Sequence, residues 1–210
     1  MAIITTKNGD QGFTSLGKII VKKDTEIIAL LGKLDTLNAQ CGVTISDLNE
    51  FRSKYCSALR IDYIVHGVDY IDFIISKLYS FQQILYNIGS YIHFKYCEQT
   101  DSLLKKISNL EYSFDEDLLN MEEYIEENSN MLNLDYFIRY PANKTSSVFL
   151  LSRLIRELEV KCYDYGYDLI NTFNLGKYFN RCSDYYYLLA IIVNKKFNIE
   201  LDNINLAKFN

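Results

Sequence analysis

From about Asp24 the apolar positions Ile27, Ile28, Leu30, Leu31, Leu34, Leu37 and Cys41 recur at spacings of three and four, the stripe of an amphipathic helix. The pattern predicts that this first helix ends near Gly42 to Ser46. A second periodic stretch runs from about Leu59 to Tyr96, with Gly67 and Gly89 as weak points that could divide it in two. Between Glu111 and Glu127, eight carboxylates alternate with Leu118, Leu119, Met121 and Ile125, which predicts a third helix with a solvated acidic face. The acids are scattered around that helix and do not converge as metal ligands must. Val148, Leu151, Leu154, Ile155 and Leu158 line one side of a fourth helix, about Thr145 to Tyr165, and a fifth runs from about Gly176 to Lys195. Five helical segments with one or two long connections describe an all-α protein, an antiparallel five-helix bundle.

The segments outside this pattern are few. Residues 1–23 hold three of the nine glycines and no helical period, and read as a structured loop or short turn joined to a single bundle domain over 24–196. The lone proline, Pro141, marks an extended stretch from Phe137 to Ser147 that ends in potential helix caps. Residues 197–210 form a polar tail expected to be loosely held. One proline and nine glycines in 210 residues are too few for the turns of a sandwich or barrel, and 49% hydrophobic residues exclude wholesale disorder.

The charge, 22 basic against 27 acidic side chains for a net −5, draws the surface to neither nucleic acid nor anionic lipid, so an anionic ligand needs a local basic pocket. No apolar run is long enough to cross a bilayer. Five cysteines without a C-x-x-C pair fit neither a disulfide framework nor a zinc knuckle and suggest reduced thiols in a cytoplasmic protein. The P-loop, dinucleotide, zinc-protease and hydrolase signatures are all absent, and with only His66 and His93 a histidine-ligated metal centre is not expected. No protein metal site is predicted.

What stands out is polar chemistry where a bundle does not need it. In Thr6-Lys7-Asn8-Gly9-Asp10-Gln11-Gly12-Phe13-Thr14-Ser15 the glycines let backbone N–H groups approach an anion while Lys7 supplies charge, although a surface turn reads the same way. Asp35 and Asn38 interrupt the first stripe on one side. Arg153, Arg156 and Glu159 follow one flank of the fourth helix, as a phosphate clamp or as surface salt bridges. Asn180, Arg181 and Asp184 sit on an otherwise very apolar fifth helix.

In order along the chain, these stretches resemble the PduO-type ATP:cob(I)alamin (corrinoid) adenosyltransferases. That family's T-K-x-G-D-x-G-x-T is met from Thr6 to Thr14, and its basic-acidic pair by Lys23-Asp24. Its D-E-L-N is met by Asp35-Thr36-Leu37-Asn38, and its F-D-L-G appears as Leu85-Tyr86-Asn87-Ile88-Gly89. F-I-L-P-G-G corresponds to Phe137-Ile138-Arg139-Tyr140-Pro141-Ala142, and N-R-L-S-D to Asn180-Arg181-Cys182-Ser183-Asp184. The chain departs from the family at Glu157 and Val160, where two arginines are usual. It also places Ser152 where another Arg is expected, with Arg153 one step on.

The resemblance implies a homotrimer that binds ATP with Mg²⁺ and a corrinoid between subunits and transfers the 5′-deoxyadenosyl group to Co(I). It implies that Thr6, Lys7, Asn8, Gly9, Asp10, Gly12, Thr14, Ser15, Lys23, Arg156, Glu159 and Asn180 hold ATP. Asp35, Arg153 and Arg156 would form the catalytic set, with Asp35 orienting an Arg of the fourth helix across the interface. Phe137 would sit on the lower face of the cobalamin and displace its axial ligand. A cobalt reductase and a B12-dependent enzyme are the implied protein partners.

Overall fold

A computed structural model describes residues 9–56, 61–95, 101–130, 137–165 and 175–204. Among these residues five helices run α1 (Glu26–Cys56), α2 (Ile61–Lys95), α3 (Asp101–Ser129), α4 (Ser146–Tyr165) and α5 (Leu175–Lys196). Short strands β1 (Phe13–Leu16), β2 (Ile19–Lys22), β3 (Phe137–Ile138) and β4 (Asn203–Ile204) make two small antiparallel ribbons. None of the described helices is long and apolar enough to cross a membrane.

The first helix does not stop near Gly42 as its stripe suggested. Ile45, Leu48 and Phe51 continue the buried face, and α1 runs 31 residues to Cys56. A helical glycine costs about 1 kcal/mol relative to alanine, less than burial of the residues beyond it returns. In α2, likewise, Gly67 and Gly89 leave the helix unbroken over 35 residues. Gly67 has a packing reason: an added Cβ would stand 2.9 Å from Cζ of Phe197.

Contacts along the helices set their directions. Lys161 meets Glu26 at one end of the α1–α4 pair and Lys144 meets Asp47 at the other, so the two run antiparallel. α5 is antiparallel to α4, with Arg156 beside Asp184 and Thr145 beside Asn194. Tyr186 donates to the Lys77 carbonyl of α2, and the Phe114–Tyr178 and Tyr124–Tyr185 ring pairs lay α3 alongside α5 in parallel. Fourteen residues of α5 are buried, which makes it the inner helix and accounts for its near-continuous apolar sequence.

The N-terminal segment read as a loop is a hairpin. Leu16 pairs with Ile19 across the turn Gly17-Lys18, and Gly17 takes φ 62°, a value that suits glycine in the first position of a two-residue hairpin turn. Buried Leu16 joins the hairpin to the core. The segment after α5 is anchored rather than loose up to residue 204. Phe197 is buried with its ring 4.9 Å from that of Phe51, and β4 pairs with β3. Composition alone hid the one aromatic that fastens this segment.

Candidate functional site

The polar residues of the α4 flank and those of α5 meet. Arg156 donates through Nη1 to Asn180 Oδ1 at 2.9 Å and to Glu159 Oε2 at 3.3 Å, and through Nη2 to Asp184 Oδ1 at 2.8 Å. Spacings of three on α4 and four on α5 put each pair on one helix face, and the antiparallel crossing brings the faces together. The guanidinium is thereby held in one plane with part of its edge in solvent, its side chain being 40% exposed. A planar fork fixed in this way is suited to phosphate oxygens.

The network extends to α3. Glu122 Oε1 accepts from Arg181 Nε at 3.0 Å and lies 3.1 Å from Lys177 Nζ, while Arg181 Nη1 stands 3.7 Å from Asp184 Oδ2. Hydrogen bonds from Lys177 and Arg181 hold the Glu122 carboxyl below the usual glutamate range. The sequence assigned Glu122 to a solvated face and did not single out Lys177. The signal available was the i, i+4 pair Lys177 and Arg181, two cations on an apolar helix that call for a carboxylate opposite.

Arg153 goes elsewhere. Its guanidinium lies 5.2 Å from the Tyr187 ring centroid and Nε donates to Ser152 Oγ at 3.2 Å. Ser152 is fully buried and donates to the Phe149 carbonyl, so the position that strict register assigns to an arginine faces the core. Asp35 is exposed and makes no ion pair among the described residues of this chain. It lines a groove of about 340 Å³ with Asn38, Tyr86, Gly89 and His93. Asn38 is engaged structurally: its amide donates to the Gln82 carbonyl of α2, and Gln82 donates back to the Asn38 backbone and side-chain oxygens. At the two departures from the family motif, Glu157 pairs with Lys33 of α1 at 2.6 Å and Val160 is 56% exposed.

In the hairpin, Gly9 and Lys23 come together. Gly12 N–H donates to the Gly9 carbonyl, Lys23 N–H donates to the Gly12 carbonyl, and a Cβ on Gly9 would stand 2.7 Å from Lys23 Nζ. Gly12 takes φ 79°, so this turn needs a glycine at that position. Asp10 and Ser15 are exposed and Thr14 half-buried. Thr6, Lys7 and Asn8 lie outside the described residues, as does the Phe137 side chain. The backbone of Phe137 pairs with Ile204.

A second cavity, about 310 Å³ between α2, α3 and α5, is walled by Tyr124, Tyr178, Tyr185 and Tyr186 with Lys77 and Asp117 at its polar positions. Burial raises the Asp117 carboxyl and the four tyrosine hydroxyls above their ordinary values. None of the residues singled out from the sequence as site residues lines it. The described residues contain no group of three or more His, Cys, Asp or Glu able to hold a metal ion.

Known proteins with this architecture are similar in fold. An arginine-to-lysine variant of a PduO-type ATP:corrinoid adenosyltransferase from Lactobacillus reuteri, complexed with ATP, superposes with a TM-score of 0.66 at 18% identity, covering 96% of this chain and 100% of that one. A phenylalanine-to-alanine variant from the same organism, complexed with cobalamin and ATP, gives 0.67 at 19% identity over 97% and 99%. The corresponding phenylalanine-to-histidine variant, with the same two ligands, gives 0.68 at 18% over 97% of each. No curated protein matches the chain by sequence. The family model for cobalamin adenosyltransferase, however, matches residues 4–193, and with nearly the whole chain accounted for, this protein belongs to the cobalamin adenosyltransferase family.

Proposed function

We propose that this protein transfers the 5′-deoxyadenosyl group of ATP to the Co(I) of cobalamin or a related corrinoid, releasing triphosphate. The observation that carries the reading is the fixed, half-exposed guanidinium of Arg156 between Asn180 and Asp184, in a chain of this family. In this chemistry Co(I) attacks the ribose C5′ and the C5′–O bond to triphosphate breaks, so no side chain acts as nucleophile. The protein's work is to hold C5′ in line, neutralise the departing triphosphate and exclude water. Arg156 and Asn180, with Glu159 bracing the guanidinium, take one side of the nucleotide. Thr6, Lys7, Asn8, Gly9, Asp10, Gly12, Thr14, Ser15 and Lys23 of the hairpin segment take the other. Each charged hydrogen bond to phosphate contributes about 1.5–3 kcal/mol net. Mg²⁺ enters with ATP as part of the substrate, held by phosphate oxygens and water.

The reading includes a homotrimer, and the bundle's geometry supports it. The hairpin enters α1 beside Lys161, whereas β3 precedes the first residue of α4. Fifteen helical residues separate Ser146 from Lys161, about 22 Å at 1.5 Å per residue, so the hairpin and the start of α4 lie towards opposite ends of the α1–α4 pair. In a homotrimer a nucleotide at the hairpin of one copy would lie beside a corrinoid at Phe137 of the next. Asp35, exposed and without an ion-pair partner among the described residues, then orients Arg153 of a neighbour. We further propose one folded unit over 1–196 and a cytoplasmic location, the latter supported by the free, buried thiols of Cys41, Cys162 and Cys182. A cobalt reductase and a B12-dependent acceptor complete the set of partners.

A second reading, a non-catalytic ATP- or corrinoid-binding oligomer, is favoured by one observation. The Arg156 network balances three cations, Arg156, Arg181 and Lys177, with three carboxylates, Glu159, Asp184 and Glu122. Purified protein mixed with ATP, Mg²⁺ and chemically reduced cobalamin separates the two. Conversion of the visible spectrum to that of adenosylcobalamin supports transfer, and binding without conversion supports the second reading.

A further inference from the structure

We infer that Glu122 of α3 is a positioning residue for ATP, acting on Arg156 through Arg181 and Asp184; this rests on the nucleotide reading of Arg156. The four side chains alternate in charge across three helices. Glu122 Oε1 accepts from Arg181 Nε at 3.0 Å, Arg181 Nη1 stands 3.7 Å from Asp184 Oδ2, and Asp184 Oδ1 accepts from Arg156 Nη2 at 2.8 Å. Asp184 therefore lies between two arginines and bonds to one. At 3.7 Å its contact with Arg181 is an ion pair without a hydrogen bond, because the Arg181 guanidinium is already turned to Glu122.

The consequence follows from competition. With Glu122 present, Arg181 is occupied and Asp184 is free to align Arg156. With the Glu122 charge removed, Arg181 keeps Asp184 as its carboxylate partner, and Asp184 is shared between two guanidiniums, Arg156 of α4 and Arg181 of α5. Arg156 then keeps Asn180 and Glu159 but loses the contact that fixes the far side of its fork. A fork that must be ordered at binding binds less tightly than one already ordered. Lys177, the other cation on Glu122 Oε1, contacts neither Asp184 nor Arg156. The effect thus runs through Arg181.

The side chains are about one-third to two-fifths exposed along this path, so the coupling belongs to the range of exposed ion pairs. The expected change is a three- to five-fold loss of ATP affinity in Glu122→Gln. The test is calorimetric titration of the full chain with Mg²⁺·ATP for wild type, Glu122→Gln and Glu122→Gln/Arg181→Met, with a melting curve for each. Removing the competing Arg181 restores ATP affinity to within about twofold of wild type, although the double variant has lost more ion pairs and melts no higher than the single one. A merely structural role for Glu122 predicts the opposite order, with the double variant weakest. Wild type that binds ATP while Glu122→Gln binds equally well, or while the double variant is no better than the single, overturns the relay alone. Wild type that fails to bind ATP overturns the nucleotide reading and the relay with it.

Discussion

Replacing Arg156 by alanine separates what this residue does for the fold from what it does for the ligand. In the fold, the change deletes three contacts: a neutral one to Asn180 and ionic ones to Glu159 and Asp184. Exposed ion pairs contribute about 0.2–1 kcal/mol. Asp184, 43% exposed, lies in that range, whereas Glu159, at 13%, sits at its upper end. The structural loss is therefore about 1–2 kcal/mol, and at about 2–4 °C per kcal/mol for a chain of this size the melting temperature falls by about 2–8 °C. For the ligand, one charge-assisted hydrogen bond to phosphate is worth about 1.5–3 kcal/mol, or roughly 10- to 150-fold in ATP affinity.

Both quantities come from one preparation, the melting midpoint by circular dichroism and the ATP dissociation constant by titration. Arg156→Lys sharpens the comparison. It keeps the charge but cannot reach Asn180 and Asp184 together, so it retains more affinity than alanine and less than arginine. An alanine variant that melts lower but binds ATP within twofold of wild type would refute the assignment, because the guanidinium would then be a brace between α4 and α5 and nothing more.

Four other outcomes are expected. Phe137→Ala keeps ATP affinity within twofold and slows adenosylation that starts from Co(II)-cobalamin with an added one-electron reductant; equal losses in both count against a corrinoid role. Asn194→Leu leaves the buried Thr145 and Asn143 with one acceptor fewer at the start of α4 and costs about 1–3 kcal/mol in chemical denaturation; an unchanged midpoint contradicts this. Burial pushes the Cys41 and Cys162 thiols up to about 12, so peptide mapping after alkylation at pH 8 finds both unmodified until the chain unfolds. Glu122 has a folded pKa held below its unfolded one, so its stabilisation is complete above about pH 5 and fades as pH drops through the folded value. The melting difference between wild type and Glu122→Gln should hold from pH 8 to pH 6 and close towards pH 3, and a difference that widens on acidification disproves the pairing.

The bundle was legible because each helix buries one stripe, and a stripe is a local property of sequence. Ends were harder. The expected stop at Gly42 failed because Ile45, Leu48 and Phe51 keep the same face buried for four more turns, and a tolerated glycine looks like a terminal one when read alone. The hairpin was missed for a related reason: four-residue strands carry too little alternation to register, and the informative feature, Gly17 at φ 62°, is a backbone state rather than a composition.

The site divides along the same physical line. Asn180 stood out in the sequence as a polar residue on an otherwise apolar helix, and Arg156 and Glu159 as a charged flank beside the apolar face of theirs. Their convergence at 2.9–3.3 Å depends on the antiparallel crossing of α4 and α5. Glu122 was no anomaly. Among eight carboxylates of one segment nothing local distinguishes it, and its partners Lys177 and Arg181 lie more than fifty positions away in the chain. Asp35 is the converse case. Its sequence context resembles a functional motif, yet its own chain leaves it exposed beside an open groove. A residue whose partner is expected on another copy cannot be completed by folding one chain, and sequence resemblance carries information about it that the protomer lacks. The reading of a helical bundle is thus strongest for side chains that break the helical period. It weakens for those that fit the period and act through a neighbouring helix, and it must pass to the assembly for those that do neither.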